Sequence, residues 1–247
     1  MDLGIAGRHD LVCGASRGLG FACAEALARE GASVTLVSRT RDSLEVAAAR
    51  IREATGASVS TVAADVASVS GRGELLTACP APDILVTNAG GPPSADFRTL
   101  TLADWSSALE GNFLSAVELI RLTVDGMAAR KFGRIVNITS LTVRSPVEKL
   151  DLSNAPRLAL TGFVAGVARQ LAPSGVTINN LLPGAVATER LNELGETADK
   201  LIARVPMGRA GMPAEFGATC AFLCSAHAAY ITAQNILVDG GLCVFTV

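Results

Sequence analysis

Short runs of apolar, largely β-branched residues alternate along the chain with longer stretches whose apolar positions recur at helical spacing. The first strand, Leu11-Val12-Cys13, leads through a glycine-rich turn into a helical stretch at 21–30. A second strand at 33–37 (SVTLV) precedes an Ala-rich helix at 40–54, and 59–63 and 84–87 read as the third and fourth strands. Long helical stretches at 102–130 and 157–172 enclose a fifth strand at 134–139 (RIVNIT). A sixth strand follows at 176–182, and a helix at 213–224 precedes a last strand at 235–238. Strands that are apolar at nearly every position and separated by helices predict a parallel sheet covered on both faces, hence one doubly wound α/β domain spanning 1–247.

The turn after the first strand reads Gly14-Ala15-Ser16-Arg17-Gly18-Leu19-Gly20. Glycines there let the backbone turn tightly and approach a pyrophosphate, to which the following helix offers free N–H groups and a partial positive charge. The strand-turn-helix setting suits a dinucleotide site, with the spacing GxxxGxG in place of GxGxxG; a helix start whose glycines serve packing alone is the competing reading. A NAD-specific site would place an acidic residue at the end of the second strand to take the ribose hydroxyls, but this chain has Ser38-Arg39-Thr40-Arg41. A carboxylate would repel a 2′-phosphate and a guanidinium grips it, so Arg39, with Arg17 from the glycine turn, predicts NADP(H). Asp65, in Ala64-Asp65-Val66, has two uses open to it: accepting a hydrogen bond from adenine, or capping the next helix.

Composition narrows the function classes. Apolar residues make up 49% and charged residues 18%, below the roughly 25% charged of ordinary soluble domains. Disorder and a polar repeat array are thereby excluded, and much surface must be hidden in a core or between subunits. With a formal net charge of −2 and no block of like charges, the chain offers no electrostatic footprint to nucleic acid or anionic lipid. No apolar run approaches the ~18 residues of a membrane span, and the first ten residues hold no apolar leader core, so a cytoplasmic protein is expected. Cys13, Cys23, Cys79, Cys220, Cys224 and Cys243 form no CxxC pair and are expected as reduced, buried thiols. Cys220 and Cys224 share a helix face but lack further ligands for a metal set, and His9 and His227, without motif partners, are expected at the surface. The interrupted helical stretch at 187–212, after Pro183-Gly184, is placed to act as a lid over the carboxyl edge of the sheet.

Taken in order, these motifs resemble the short-chain dehydrogenase/reductase family over nearly the whole chain, in particular its 3-oxoacyl carrier-protein reductase branch. The likeness rests on Gly14 to Gly20, Asn88-Ala89-Gly90, Asp104-Trp105 leading to Asn112, Ile138-Thr139-Ser140, Asn179 to Pro183-Gly184, Thr188, and Tyr230-Ile231-Thr232 before Asp239-Gly240-Gly241. It implies a Rossmann-type domain with a seven-stranded parallel sheet and NAD(P)-dependent hydride transfer on a small-molecule carbonyl or alcohol. It also implies a homo-oligomer, dimer or more usually tetramer, built through the two long helices. Residues implied at the cofactor are Gly14, Ser16 to Gly20, Ser38, Arg39, Asp65, Val66, Asn88, Ala89, Gly90, Arg157, Pro183, Gly184 and Thr188.

The same resemblance places the chemistry on an Asn, a Ser, a Tyr and a Lys four residues after the Tyr. Asn112 and Ser140 match the first two. Aligning the family's Tyr-Asn-Ala-Ser-Lys type of segment on Ser153-Asn154-Ala155-Pro156-Arg157 sets Ser153 at the Tyr position and Arg157 at the Lys position. The only tyrosine, Tyr230, lies far along the chain. A serine lacks the phenol's acidity and arginine does not give up its proton, and losing a positioned acid costs ~10² to 10⁴ in rate. Pro156 belongs in a helix's first turn, which predicts a helix starting near Ser153 with Ser153 as N-cap; a structural and a catalytic use of this serine stand side by side.

Arg157 has ribose hydroxyls or a substrate carboxylate within its chemistry, and Arg144 facing the same pocket would mark an anionic substrate. Glu148 and Lys149 are either proton carriers shifted by burial or solvated loop charges. Gly91-Pro92-Pro93 is expected as a stiff substrate rim, with Lys149 and Arg144 near it. The tail at 243–247 (CVFTV) either covers a neighbouring subunit's site or packs on its own sheet. Three functions are consistent with this pattern. One is an NADP(H)-dependent oxidoreductase with Ser153 and Arg157 in place of the usual pair; the others are a catalytically impaired NADP(H)-binding sensor or partner subunit, and a lyase or isomerase on the same fold.

Overall fold

The computed structural model describes residues 1–193 and 195–244, and within them seven strands form one parallel sheet in the order β3-β2-β1-β4-β5-β6-β7. One half holds β1 (His9–Cys13), β2 (Ser33–Ser38) and β3 (Val59–Ala63); the other holds β4 (Ile84–Thr87), β5 (Gly133–Ile138), β6 (Val176–Pro183) and β7 (Asn235–Val238). The winding reverses between β1 and β4, which opens a crevice beyond the carboxyl ends of those strands. One face of the sheet packs against α1 (Gly18–Arg29), α2 (Arg41–Thr55) and α9 (Pro213–Cys224). The other packs against α3 (Val69–Ala78), α5 (Ser115–Ala129) and α6 (Asp151–Leu171).

Three of the asparagines inside the expected apolar strands have a shared use. Thr87, Asn137, Asn180 and Asn235 sit opposite one another on β4, β5, β6 and β7. Thr87 Oγ1 donates to Asn137 Oδ1 at 2.7 Å, Asn137 Nδ2 to Asn180 Oδ1 at 3.1 Å, and Asn180 Nδ2 to Asn235 Oδ1 at 2.8 Å. A one-residue slip of any strand would break this ladder and turn its side chains to the wrong face, so it pins the register of half the sheet. Asp10 on β1 is the opposite case. It is wholly buried with neither carboxyl oxygen bonded among the described residues, and burial, then the charge of Asp83, push its pKa well above the usual range, favouring the protonated form.

Several elements depart from expectation for local reasons. The stretch at 102–130 is two helices, α4 (Leu102–Leu109) and α5, joined by a wider π-helical turn, Glu110–Leu114. The apolar periodicity does not delimit α3, whose two glycines dilute its helical period, although capping a helix there is one of the uses open to Asp65; Ser68 caps it by accepting from Gly71 N at 3.0 Å. That cap answers one question about Asp65, whose carboxylate instead accepts from Ala67 N at 2.9 Å. The helix expected at 157–172 starts earlier, at Asp151, with Ser153 as its third residue and no side-chain cap. Pro156 therefore lies inside α6, where it cannot donate to the carbonyl of Leu152. Backbone N–H groups of Ser153 and Asn154, both 2.8 Å from the carbonyl of Leu150, set the helix start instead. No helix among the described residues is long and apolar enough to cross a membrane. All six cysteines are free; five are buried and Cys243 is half-buried.

Candidate active site

The glycine turn packs tightly on the end of β4. Gly14 has φ +59°, and a Cβ there would lie 2.5 Å from Asn88 Nδ2, while a Cβ on Gly20 would overlap the carbonyl of Gly14. Only glycine satisfies both the dihedral and the approach. Asn88 Nδ2 donates to the Gly14 carbonyl at 3.3 Å, joining the ends of β1 and β4 at the point where the winding reverses. Helix α1 has no side-chain cap and no acidic residue in its first turn. The N–H groups of Gly18, Leu19 and Gly20 have no acceptor among the described residues, which leaves an unoccupied set of donors facing the crevice.

Around this turn lie the other residues expected at a dinucleotide. Ser38 Oγ, at the end of β2, donates to the carbonyl of Thr40 at 3.4 Å, and the exposed Arg39 has no hydrogen bond or ion pair among the described residues. Asp65 is exposed and Val66 half-buried at the end of β3. Ser16 and Ala89 are half-buried, and Gly90 faces open space. Gly184 N donates to the carbonyl of Val238, fixing Pro183-Gly184 at the end of β6. Thr188 Cγ2 comes within 3.8 Å of where a Cβ on Gly18 would stand. Arg17 departs from the expected partnership with Arg39: its Nη1 pairs with Glu189 on α7 (Glu189–Asn192).

Asn112, Ser140, Ser153 and Arg157 gather on the far side of the crevice. The π-helical turn carries Asn112 inward, with Nδ2 donating to the Ala108 carbonyl at 3.4 Å and a buried Oδ1 that has no partner among the described residues. Ser140 Oγ accepts from Thr142 N at 3.1 Å, so its own proton remains available to a substrate. Arg157 is 8% exposed, and burial pulls its pKa down to about 10, which still leaves it charged at neutral pH. Its Nε donates to Ser153 Oγ at 3.1 Å, and its Nη1 to the carbonyls of Ile138 and Thr139 at 3.0 and 2.8 Å. Arg157, Asn112, Asn88, Ala89 and Val66 line a cavity of about 20 Å³, the size of one water molecule.

That geometry bears on two expectations. The guanidinium fork is directed mainly at the end of its own sheet rather than at ribose hydroxyls, and Arg144 is exposed and does not line the Arg157 cavity. The two arginines, whose sharing of a pocket motivated an anionic substrate, do not meet in this cavity. Glu148 and Lys149 are likewise exposed rather than buried. Lys149 does hold the rim: it adopts φ +61°, and its carbonyl accepts from Ala95 N at 3.0 Å.

Over residues 14–243 the sequence matches the family described as enoyl-(acyl carrier protein) reductase. The chain belongs to the short-chain dehydrogenase/reductase family. Within it, the chain is 33% identical over 245 residues to a 3-oxoacyl-(acyl-carrier-protein) reductase of Vibrio cholerae, covering 97% of this chain and 99% of the relative. The L-sorbose reductase of Gluconobacter frateurii, solved with NADPH and L-sorbose, superposes with a TM-score of 0.92 at 31% identity, covering 99% of this chain and all (100%) of that one. A 3-oxoacyl (acyl-carrier-protein) reductase of Agrobacterium tumefaciens, solved with NADP, gives 0.90 at 32% identity over 97% of this chain and 95% of that one.

The sequence reading of this short-chain dehydrogenase/reductase passed over Glu189 and Arg190. Arg190 Nη2 reaches the carbonyl of Pro92 at 3.4 Å, so the rim at Gly91-Pro92 is tied to α7. The available signal was the adjacent opposite charges immediately after Thr188. Of the tail, Val244 is exposed, while Phe245, Thr246 and Val247 lie outside the described residues.

Proposed function

We propose that this chain is an NADP(H)-dependent oxidoreductase acting on a carbonyl/alcohol pair, with Ser153 and Arg157 in place of the family's usual Tyr and Lys. The observation that carries the cofactor reading is the cradle at the glycine turn. Free N–H groups of Gly18, Leu19 and Gly20 suit a pyrophosphate, and the unpaired Arg39, with no carboxylate at the end of β2, suits a 2′-phosphate. The structural relatives solved with NADPH and NADP support the same assignment.

Bound nicotinamide would supply or accept the hydride. The protein's part is orientation and proton delivery. Ser140 Oγ–H donates to the substrate oxygen, since its lone pair is already engaged by Thr142 N. Ser153 Oγ accepts from the Arg157 guanidinium, which favours loss of its proton toward a developing alkoxide; the fixed cation partly makes up for the missing phenol. The unpaired Asn112 Oδ1, beside the water-sized cavity that Arg157 also lines, marks a route by which that proton is replaced. Residues 187–212 act as the lid, and exposed Leu102, Leu109, Leu122 and Leu158 on α4, α5 and α6 are the faces through which a homo-oligomer forms. The uniformly free thiols fit a cytoplasmic setting.

A second reading, a catalytically impaired NADP(H)-binding sensor or partner subunit, is favoured by one feature: Arg157 is directed at Ile138 and Thr139 carbonyls. Fluorescence titration with NADPH and NADH, repeated on Arg39→Asp, tests the cofactor. NADPH binding weakened at least tenfold by Arg39→Asp, with NADH binding little changed, is the expected result; no binding of either nucleotide overturns the assignment. Turnover of a ketone, aldehyde and alcohol panel by the NADPH-binding protein then separates enzyme from sensor.

A further inference from the structure

We propose that Glu189 tunes the preference of the cleft for a 2′-phosphorylated nucleotide by competing with that phosphate for Arg17. The inference rests on the NADP(H) reading above and concerns a residue that reading does not use. Arg17 leaves the glycine turn in an extended conformation, φ −162° and ψ 175°, immediately before α1. Its guanidinium meets the Glu189 carboxylate, and both side chains are about two-thirds exposed, 68% and 64%. The glycine turn and the start of α7 also approach through Gly18 and Thr188. The next residue, Arg190, bonds the opposite rim at the Pro92 carbonyl and pairs with Glu193 at 3.6 Å. Two consecutive residues of one short helix thus tether it to both walls of the crevice, one tether passing through an arginine suited to the cofactor.

An exposed ion pair of this kind is weak and readily exchanged. A phosphate carries more charge than one carboxylate and accepts both arms of a guanidinium, so it takes Arg17 from Glu189 when it arrives at Arg39. NADH carries no such phosphate and leaves the pair in place. Glu189 therefore opposes one nucleotide and is neutral toward the other, and release of Arg17 also loosens α7 from the glycine turn.

The test is a binding cycle by nucleotide fluorescence on the intact protein, Glu189→Gln, Arg17→Ala and the double variant. An exposed pair of this strength predicts about two- to fivefold tighter NADPH binding by Glu189→Gln. NADH binding should be unchanged, and the gain should vanish in the Arg17→Ala background. Equal tightening toward NADPH and NADH, no change toward either, or a gain that survives Arg17→Ala overturns the inference while leaving the cofactor assignment standing. Failure of the unaltered protein to bind NADPH overturns both.

Discussion

At the glycine turn, the first N–H groups of α1 and the Arg39 guanidinium point at no acceptor among the described residues, whereas at the α6 corner Arg157 has three acceptors of its own. Both regions are cationic and both border one crevice, yet one presents its donors and the other uses them internally. The difference follows from burial. Arg39 lies in water and needs no partner, while a guanidinium at 8% exposure must be met by acceptors or unfold its surroundings. Arg157 is thus a staple between α6 and the end of β5, and the catalytic reading proposed above turns on whether it also meets a ligand.

The largest effect expected at the corner is on rate. If Ser153 delivers the proton, Ser153→Ala lowers kcat by roughly 10² or more and leaves the NADPH dissociation constant unchanged. It also removes the acceptor of Arg157 Nε, a loss of about 1 kcal/mol in stability. Steady-state kinetics beside a thermal melt reads the two apart. A lowered Tm with undiminished kcat would assign Ser153 to structure and move the corner fully into the staple class.

Next in size is Arg157→Lys, which keeps the positive charge but removes the planar fork. An ammonium cannot meet Ser153 Oγ and two backbone carbonyls in the same geometry, so about 2 kcal/mol of stability should be lost. That is roughly 4 to 8 °C in Tm for a chain of this size. NADPH affinity should hold within about twofold, since the glycine turn is untouched. A variant as stable as the parent would show that the fork is not needed where the structure directs it.

How much of this was legible beforehand also divides along the same line. The glycine turn, Asn88 and the Arg39 position were readable because backbone sterics demand glycine at Gly14 and Gly20, and because a surface charge keeps its meaning when its neighbours are unknown. The positions of the strands along the chain and the helix at Pro213–Cys224 were readable from apolar periodicity, which does not give the order of the strands within the sheet. The corner was not. Whether Arg157 reaches a ligand or a carbonyl depends on where α6 begins, and Pro156 suggested a start two residues too late. The Arg17 to Glu189 pairing joins residues 172 positions apart, so the adjacent charges after Thr188 could mark Glu189 but not its partner.

The smallest expected effect compares the two regions most directly. Gly14 and Gly18 meet the turn's left-handed backbone at φ +59° and +60°, and the corner's loop meets the same requirement at φ +61° with Lys149. A lysine in that conformation carries strain of about 1 kcal/mol, which glycine relieves while giving back part of it as entropy of the unfolded chain. Lys149→Gly should therefore raise stability by about 0.5 kcal/mol or leave it level, with the Ala95 N–H still bonded to the carbonyl at 149 and NADPH affinity unchanged. If kcat/KM falls as well, the exposed ammonium at the rim is meeting the substrate, and a lysine kept in a glycine's conformation has its reason. If kcat/KM holds, the corner's charges end at Arg157, and the substrate is read by Ser140, Ser153 and the Gly91-Pro92 rim alone.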